Sequence, residues 1–330
     1  MSAALRVGVI GCGGYATGAH APALAREENV ELVAVCGPRP PSVRRFVAAW
    51  KGRGKPREYH DAFQMLEREE LDGVLIASPH GMHGEQVRAA LAAGCHVLVE
   101  KPMTVSLKEA DAVVEAARRS GRHVLVGYKT PYTGALRAVR RLLATEQCGP
   151  LRCVNGYMAQ GWLALTAGTW RHDPELSGGG QFLDSGSHLV CSLLWALPGE
   201  WRHVSAIMAD RGEAVDLDTV LIARFADDVL VSLAVGGCWQ PEGTILHFCC
   251  AEGRIEMDGW RGAWARVHSK DGAPEPISDG PNIEPVAHFC AVLRGDCSPL
   301  VDAGHGRRQA AFTADVYRAA RRCGAQKGCR

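Results

Sequence analysis

The sequence predicts an α/β fold in two parts. An N-terminal parallel sheet is covered by helices on both faces, and an α+β part follows, built on a mostly antiparallel sheet. Three observations predict this. The chain opens with an apolar strand, a glycine turn and the start of a helix over residues 5–16. Apolar runs then alternate with helix-like stretches as far as Tyr128. Beyond Tyr128, strand-like runs follow one another with turns between them. A length of 330 residues is enough for two separate cores.

In the first part, the runs Leu5–Ile10, Val30–Cys36, 73–77, His96–Val99 and 123–126 read as strands. Residues 42–49, 62–67, 85–93 and 107–119 read as the helices between them. Ser106 is a good N-cap, and Glu109 three residues on completes a capping box. Gly94 and Gly121 stand where two helices should stop. Alternation of this kind gives a parallel sheet buried on both faces. In the second part, a helix at 133–145 precedes Gly149-Pro150, and strands are expected at Leu151–Ala159, 203–209, 219–225, 229–235, 244–251 and Gly253–Met257. Asp227-Asp228 and residues 251–253 are the turn candidates. One helix is expected at 181–197, and two more, Pro285–Arg294 and 304–323, near the end. Residues 272–281 read as loop. The domains are therefore expected at 1–127 and 128–330.

Composition excludes several function classes. A net charge of +1 gives no basic field for nucleic acid or an anionic membrane surface. No apolar run is long enough to span a bilayer. The first strand begins almost at once, leaving no room for a signal peptide, so a cytoplasmic protein is expected. The 13 cysteines include no Cys-x-x-Cys pair and mostly lie in apolar segments, which reads as free, packed thiols and no metal site.

Chemistry is concentrated in a few places. Gly11, Gly13 and Ala16 form G-x-G-x-x-A between a strand and a helix. Gly11 allows the tight turn, Gly13 lets a pyrophosphate approach the backbone, and Ala16 lets the helix lie close on the strand. The phosphates then meet a helix N-terminus, and the alternative is a tight structural turn. Glu100-Lys101-Pro102 ends a strand run, where an open parallel sheet binds its ligand, so Lys101 is placed to polarise a reacting hydroxyl. A solvated lysine is the alternative. Asp184 and His188, spaced i, i+4 after a glycine run, share one helix face. They form a carboxylate–imidazole pair suited to general-base work, or else a capping acid and a core histidine.

Taken together and in order, several motifs resemble those of the glucose–fructose oxidoreductase / inositol dehydrogenase (Gfo/Idh/MocA) family. They are the glycine fingerprint, Ala77-Ser78-Pro79-His80-Gly81-Met82-His83, Glu100-Lys101-Pro102, the stretch from Trp170-Arg171 to Gly178-Gly179-Gly180, and Asp184…His188. The resemblance spans essentially the whole chain. It implies an N-terminal Rossmann dinucleotide-binding domain and a C-terminal α+β domain with a large open sheet, one face of which is buried in a homodimer or homotetramer. It also implies an NAD(P)-dependent oxidoreductase acting on a hydroxyl of a sugar, cyclitol or related polyol. Lys101, His188 and Asp184 would be catalytic. Gly14, Tyr15, Ser78, His80, His83, Glu100 and Lys101 would join Gly11, Gly13 and Ala16 around the cofactor. Lys129, Trp170 and Arg171 would join Lys101, Asp184 and His188 around the substrate.

The chain departs from the family pattern at three points. His80 replaces the usual asparagine, and Gly127-Tyr128-Lys129-Thr130-Pro131-Tyr132 replaces an Asn-x-Arg-aromatic pattern. Gly37 stands where an acidic residue usually holds the ribose hydroxyls of NAD. With no carboxylate there, and with Arg39 beside it helped by Arg44 or Arg45, NADP(H) is favoured over NAD(H). Trp162, Trp170 and Trp239 are candidate aromatic faces for a sugar, or equally packing residues. Two further readings remain open: a glycosidase-type enzyme using transient oxidation, and a non-catalytic ligand sensor on the same fold.

Overall fold

The structure, a computed structural model, describes residues 4–270 and 272–325. It divides into two compact units, Met1–Gly127 with Ile283–Arg307, and Tyr128–Asn282 with Arg308–Arg330.

The first unit holds six strands: β1 (Leu5–Ile10), β2 (Val30–Cys36), β3 (Arg57–Tyr59), β4 (Gly73–Ile76), β5 (His96–Val99) and β6 (Val124–Val126). All pair in parallel, in the order β3-β2-β1-β4-β5-β6. This is the doubly wound order of a dinucleotide-binding sheet, and it reverses between β1 and β4. Val7, Val9, Val74, Leu75, Ile76 and Val97 are fully buried, as strands covered on both faces require. β3 went unread because it is a three-residue edge strand with two exposed side chains. Helix His80–Ala92 starts five residues earlier than its apolar spacing suggested, with Pro79 at its N-cap position. The Ser106 cap is formed, with its Oγ accepting from Glu109 N at 3.2 Å.

One assignment changes. Residues 283–307 were expected in the second domain, yet helix Pro285–Arg294 sits in the core of the first unit. Its Val286, Phe289, Cys290 and Val292 cluster there with Val7, Val9, Leu75 and Leu98. Gly73 makes the room: a Cβ there would lie 2.8 Å from the Phe289 ring. A linear reading cannot show that a late segment returns to an earlier core.

The second unit holds β7 (Leu151–Ala159), β8 (Trp201–Ala209), β9 (Asp218–Phe225), β10 (Leu230–Gly236), β11 (Gly243–Cys250), β12 (Gly253–Met257), β13 (Ala265–Ser269) and β14 (Glu275–Pro276). They form one sheet in the order β14-β13-β12-β11-β7-β10-β9-β8, antiparallel except for β7 with β10. The edge strand β14 lies inside the stretch read as loop, where its two exposed residues carry no apolar signal. Asp227 and Asp228, with φ of 55° and 56°, make the turn between β9 and β10. From Thr219 onward exposure alternates along β9: Leu221, Ala223 and Phe225 point inward, while Val220 and Ile222 point outward.

Candidate active site

In the first unit, the residues picked from sequence gather at the carboxyl ends of β1, β2, β4 and β5. Gly11 follows β1 with φ +94°, and a Cβ on it would strike the Ala77 carbonyl carbon at 2.4 Å. Only glycine lets the turns after β1 and β4 approach this closely. Gly13 and Gly14 differ, because a Cβ on either would meet nothing within 4 Å. Their open side is the cradle a pyrophosphate needs, and the first helical bond, Thr17 N to Gly13 O at 2.9 Å, starts directly beneath it. Ala16 is buried in the core cluster, and Tyr15 lies 47% exposed beside the cradle. The chain therefore fits a dinucleotide here.

A buried network fixes the loops around this cradle. His20 Nε2 lies 2.8 Å from Glu100 Oε1, and the His20 ring meets Tyr15 edge to face at 5.1 Å. Burial pushes the Glu100 carboxyl up, but the His20 hydrogen bond and the charges of His20, Lys101 and His83 hold it below its ordinary value. Glu100 is therefore a carboxylate immediately before Lys101, and Gly127 leaves it space. His83, fully buried, has Nδ1 2.8 Å from Pro102 O and Nε2 2.9 Å from Ser78 O. Burial lowers its pKa against the upward pull of both carbonyls, and its two ring nitrogens bridge the loop after β4 and the loop carrying Lys101. Ser78 Oγ donates to Gln86 at 2.6 Å, and His80 is buried with its ring 5.8 Å from His83. Gly37 follows β2, with its carbonyl 3.0 Å from His60 Nδ1. Arg39, exposed, precedes helix Pro40–Ala49.

The second unit carries Lys129, Trp170, Arg171, Asp184 and His188. Asp184 is 4% exposed, and its Oδ2 accepts from Trp162 Nε1 and Arg171 Nε, each at 2.8 Å. Trp162 is buried and stacks on His172 with ring centres 5.1 Å apart, so it anchors the carboxylate and presents no face to a sugar. Trp170 carries the Arg171 guanidinium over its ring at 4.5 Å. The single helix expected at 181–197 is two, Gln181–Asp184 and Gly186–Ala196, joined at Ser185. At Gly186 a Cβ would lie 3.1 Å from Val235, so the helix packs on the sheet through this glycine. The glycine run also accommodates the protein itself. A Cβ at Gly180 would lie 1.9 Å from Asp216 O, and one at Gly179 2.3 Å from the Tyr317 hydroxyl. Asp216 caps the first of the two helices, accepting from Gly180 N at 2.8 Å, Phe182 N at 2.9 Å and Tyr317 Oη at 2.5 Å.

The His188 ring is flanked by Tyr128 at 5.7 Å, edge to face, and by Trp260 at 6.5 Å. Sequence reasoning missed His20, Asp216, Trp260 and the anchoring role of Trp162. None lies in a motif, and each meets its partner across a long stretch of chain. Among the described residues, no group of three or more His, Cys, Asp or Glu side chains could hold a metal ion, and no helix is long and apolar enough to cross a membrane.

Comparison with known proteins agrees with this geometry. Residues 5–128 match the family model described as an oxidoreductase family with an NAD-binding Rossmann fold. Residues 136–256 match that of the GFO/IDH/MocA C-terminal domain. The chain is 29% identical to dTDP-3,4-didehydro-2,6-dideoxy-alpha-D-glucose 3-reductase of Saccharopolyspora spinosa, over 97% of this chain and 98% of that one. It is 29% identical to glucose-6-phosphate 3-dehydrogenase of Bacillus subtilis, over 72% and 69%. A putative UDP-kanosamine synthase oxidoreductase subunit of Amycolatopsis mediterranei is 33% identical, over 62% of this chain and 56% of its own. The fold superposes with a TM-score of 0.82 on a 3-ketoreductase from Actinomadura kijaniata in complex with NADP and TDP-benzene, at 24% identity, covering 96% of this chain and 98% of that one. It superposes equally, at 0.82, on the WlbA dehydrogenase from Bordetella pertussis in complex with NADH and UDP-GlcNAcA, at 24% identity, covering 96% and 97%. The chain is a member of the Gfo/Idh/MocA family of NAD(P)-dependent oxidoreductases, carrying that family's nicotinamide-binding Rossmann fold and C-terminal domain.

Proposed function

We propose that this protein is an NADP(H)-preferring dehydrogenase or reductase acting on a ring hydroxyl, or the matching ketone, of a sugar. The observation that carries the reading is the placement of the open Gly13-Gly14 cradle after β1 and of the Lys101 loop after β5, both at the carboxyl end of one parallel sheet. Relatives named for reduction or oxidation at a sugar's position 3 support a ring carbon as the reacting centre. A bound nicotinamide supplies the acceptor for the hydride. His188 takes the hydroxyl proton, and Lys101 holds and polarises that oxygen. Asp184, anchored by Trp162 and Arg171, keeps its carboxylate in one orientation beside the helix that bears His188.

The cofactor preference follows from Gly37 and Arg39. No carboxylate projects from Gly37, and exposed Arg39 pairs with a 2′-phosphate. A panel of sugars and cyclitols with NADP⁺ and NAD⁺, read at the reduced-nicotinamide absorbance, is expected to show turnover with the lower KM for NADP⁺. Arg39→Ala is expected to weaken NADPH by about 1–3 kcal/mol, the scale of a charge-assisted hydrogen bond, and to change NADH little. Equal or tighter NADH binding by the wild type refutes the preference.

Assembly is the third part of the reading. The outward face of the second sheet exposes Tyr157, Ile207, Val220, Ile222 and Leu230, each by 45% or more. The register sets Ile207, Val220, Ala234, Tyr157 and Ile245 in one row across five strands. An apolar face of this extent finds a partner, here a second copy meeting it sheet to sheet as a homodimer or homotetramer. Light scattering is expected to report the oligomer, and Ile222→Lys to shift it toward monomer. A wild-type monomer at working concentration contradicts the proposal.

A further inference from the structure

Trp260 and Arg261 sit in the seven-residue connection between β12 and β13, which is pinned at both of its neighbours. Asp258 Oδ1 accepts from Trp260 N at 3.0 Å and Arg261 N at 3.3 Å, and Oδ2 accepts from Ala263 N at 3.2 Å. Trp260 O accepts from Thr130 Oγ1 at 2.8 Å, two residues beyond Tyr128. Gly259 O accepts from Ser192 Oγ at 2.8 Å, one turn along the helix that carries His188. Gly262, at φ +60°, closes the turn against Thr133. The loop backbone is thus tied to both elements that bound the His188 ring.

Its side chains remain available. Tyr128 on one flank of His188 is fully buried, whereas Trp260 on the other is partly exposed. The Arg261 guanidinium carbon lies 4.5 Å from the centre of the Trp260 ring, and the side chain is exposed. Among the described residues no carboxylate pairs with Arg261, and both Asp258 oxygens are taken up by backbone N–H groups. Stacking on the indole holds the planar fork in place, so little freedom is lost when it binds an anion. An indole offers its face to the C–H side of a sugar ring, and a guanidinium grips a phosphate bidentately.

We infer that Trp260 and Arg261 form a recognition element beside His188 for a sugar bearing a phosphate group. The inference rests on the reading of His188 as the residue that meets the reacting hydroxyl. The phosphate belongs to a sugar phosphate or to a nucleoside-diphosphate sugar, and the arms of the test separate these. Glucose, glucose 6-phosphate and UDP-glucose are titrated into wild type, Arg261→Gln and Trp260→Ala by calorimetry, with hydride transfer followed in parallel.

At least one phosphate-bearing sugar is expected to bind wild type ten-fold or more tighter than glucose. Which of the two binds better names the source. Arg261→Gln is expected to abolish that advantage, and Trp260→Ala to weaken the phosphate-bearing sugars and glucose alike. Equal affinities in wild type overturn the inference. So does an advantage that survives Arg261→Gln, or no binding of either phosphate-bearing sugar at millimolar concentration. A phosphate advantage in binding without any hydride transfer would leave the inference standing and count against the dehydrogenase reading instead.

Discussion

His188→Ala is expected to lower kcat by about 10²–10⁴-fold, the contribution of a general base, while NADPH affinity is nearly kept. Lys101→Ala is expected to cost at least as much. Lys101→Arg should not rescue, because a planar guanidinium cannot take the place of a compact ammonium beside the Glu100 carboxylate. Asp184→Ala should cost less if the carboxylate only orients its neighbours. Its Oδ2 already holds Trp162 and Arg171, so the loss leaves two buried or half-buried donors without an acceptor. Steady-state kinetics on the preferred sugar, with NADPH titration as the control for folding, checks the series. Wild-type turnover by both Lys101→Ala and His188→Ala would place the chemistry elsewhere and favour a sensor or a different pocket.

The second large effect concerns stability. Gly180→Ala would drive a methyl group to 1.9 Å from the Asp216 carbonyl oxygen, where backbone meets backbone and no side chain can yield. Asp216→Ala would strip acceptors from the Gly180 and Phe182 N–H groups and from the Tyr317 hydroxyl. Each buried donor left unpaired costs about 1–3 kcal/mol, so Asp216→Ala is expected to destabilise by several kcal/mol. Gly180→Ala is expected to match or exceed it. Tyr317→Phe removes one bond only and is expected to cost about 1 kcal/mol. Its phenol is held far above its usual pKa by burial and by the Asp216 charge, so it stays a donor throughout the working pH range. Urea unfolding midpoints of the three variants check the order. A Gly180→Ala protein as stable as wild type would refute the account of the cap.

The elements the sequence revealed are those whose burial is written in the local pattern. β1, β2 and β5 appear with their expected bounds, because strands of a parallel sheet covered on both faces are mostly apolar, and β7 appears with its own although polar residues interrupt it. The Gly11 turn was legible because only one residue type satisfies φ +94° against a neighbouring backbone. What stayed hidden depends on partners far along the chain. Asp216 lies 36 residues from Gly180, and nothing around it marks it as a cap. The glycine run at 178–180 is closely approached by Asp216 and Tyr317, which no local pattern marks as its neighbours. Trp162 read equally as a sugar platform or a packing residue, because an indole offers both a face and an N–H, and only burial shows which is used.

The return of Pro285–Arg294 to the first core bears on how the chain is made. Synthesis runs from the N-terminus, yet the Val7 and Val9 strand lacks part of its covering until Val286, Phe289 and Val292 have been added. At ~5–20 residues per second, the ribosome takes on the order of ten seconds or more to travel from the end of the first segment to the end of the second. Throughout that interval the nascent sheet displays the apolar surface that Phe289 will later cover beside Gly73. The glycine-turn half therefore emerges well before the helix that completes its core.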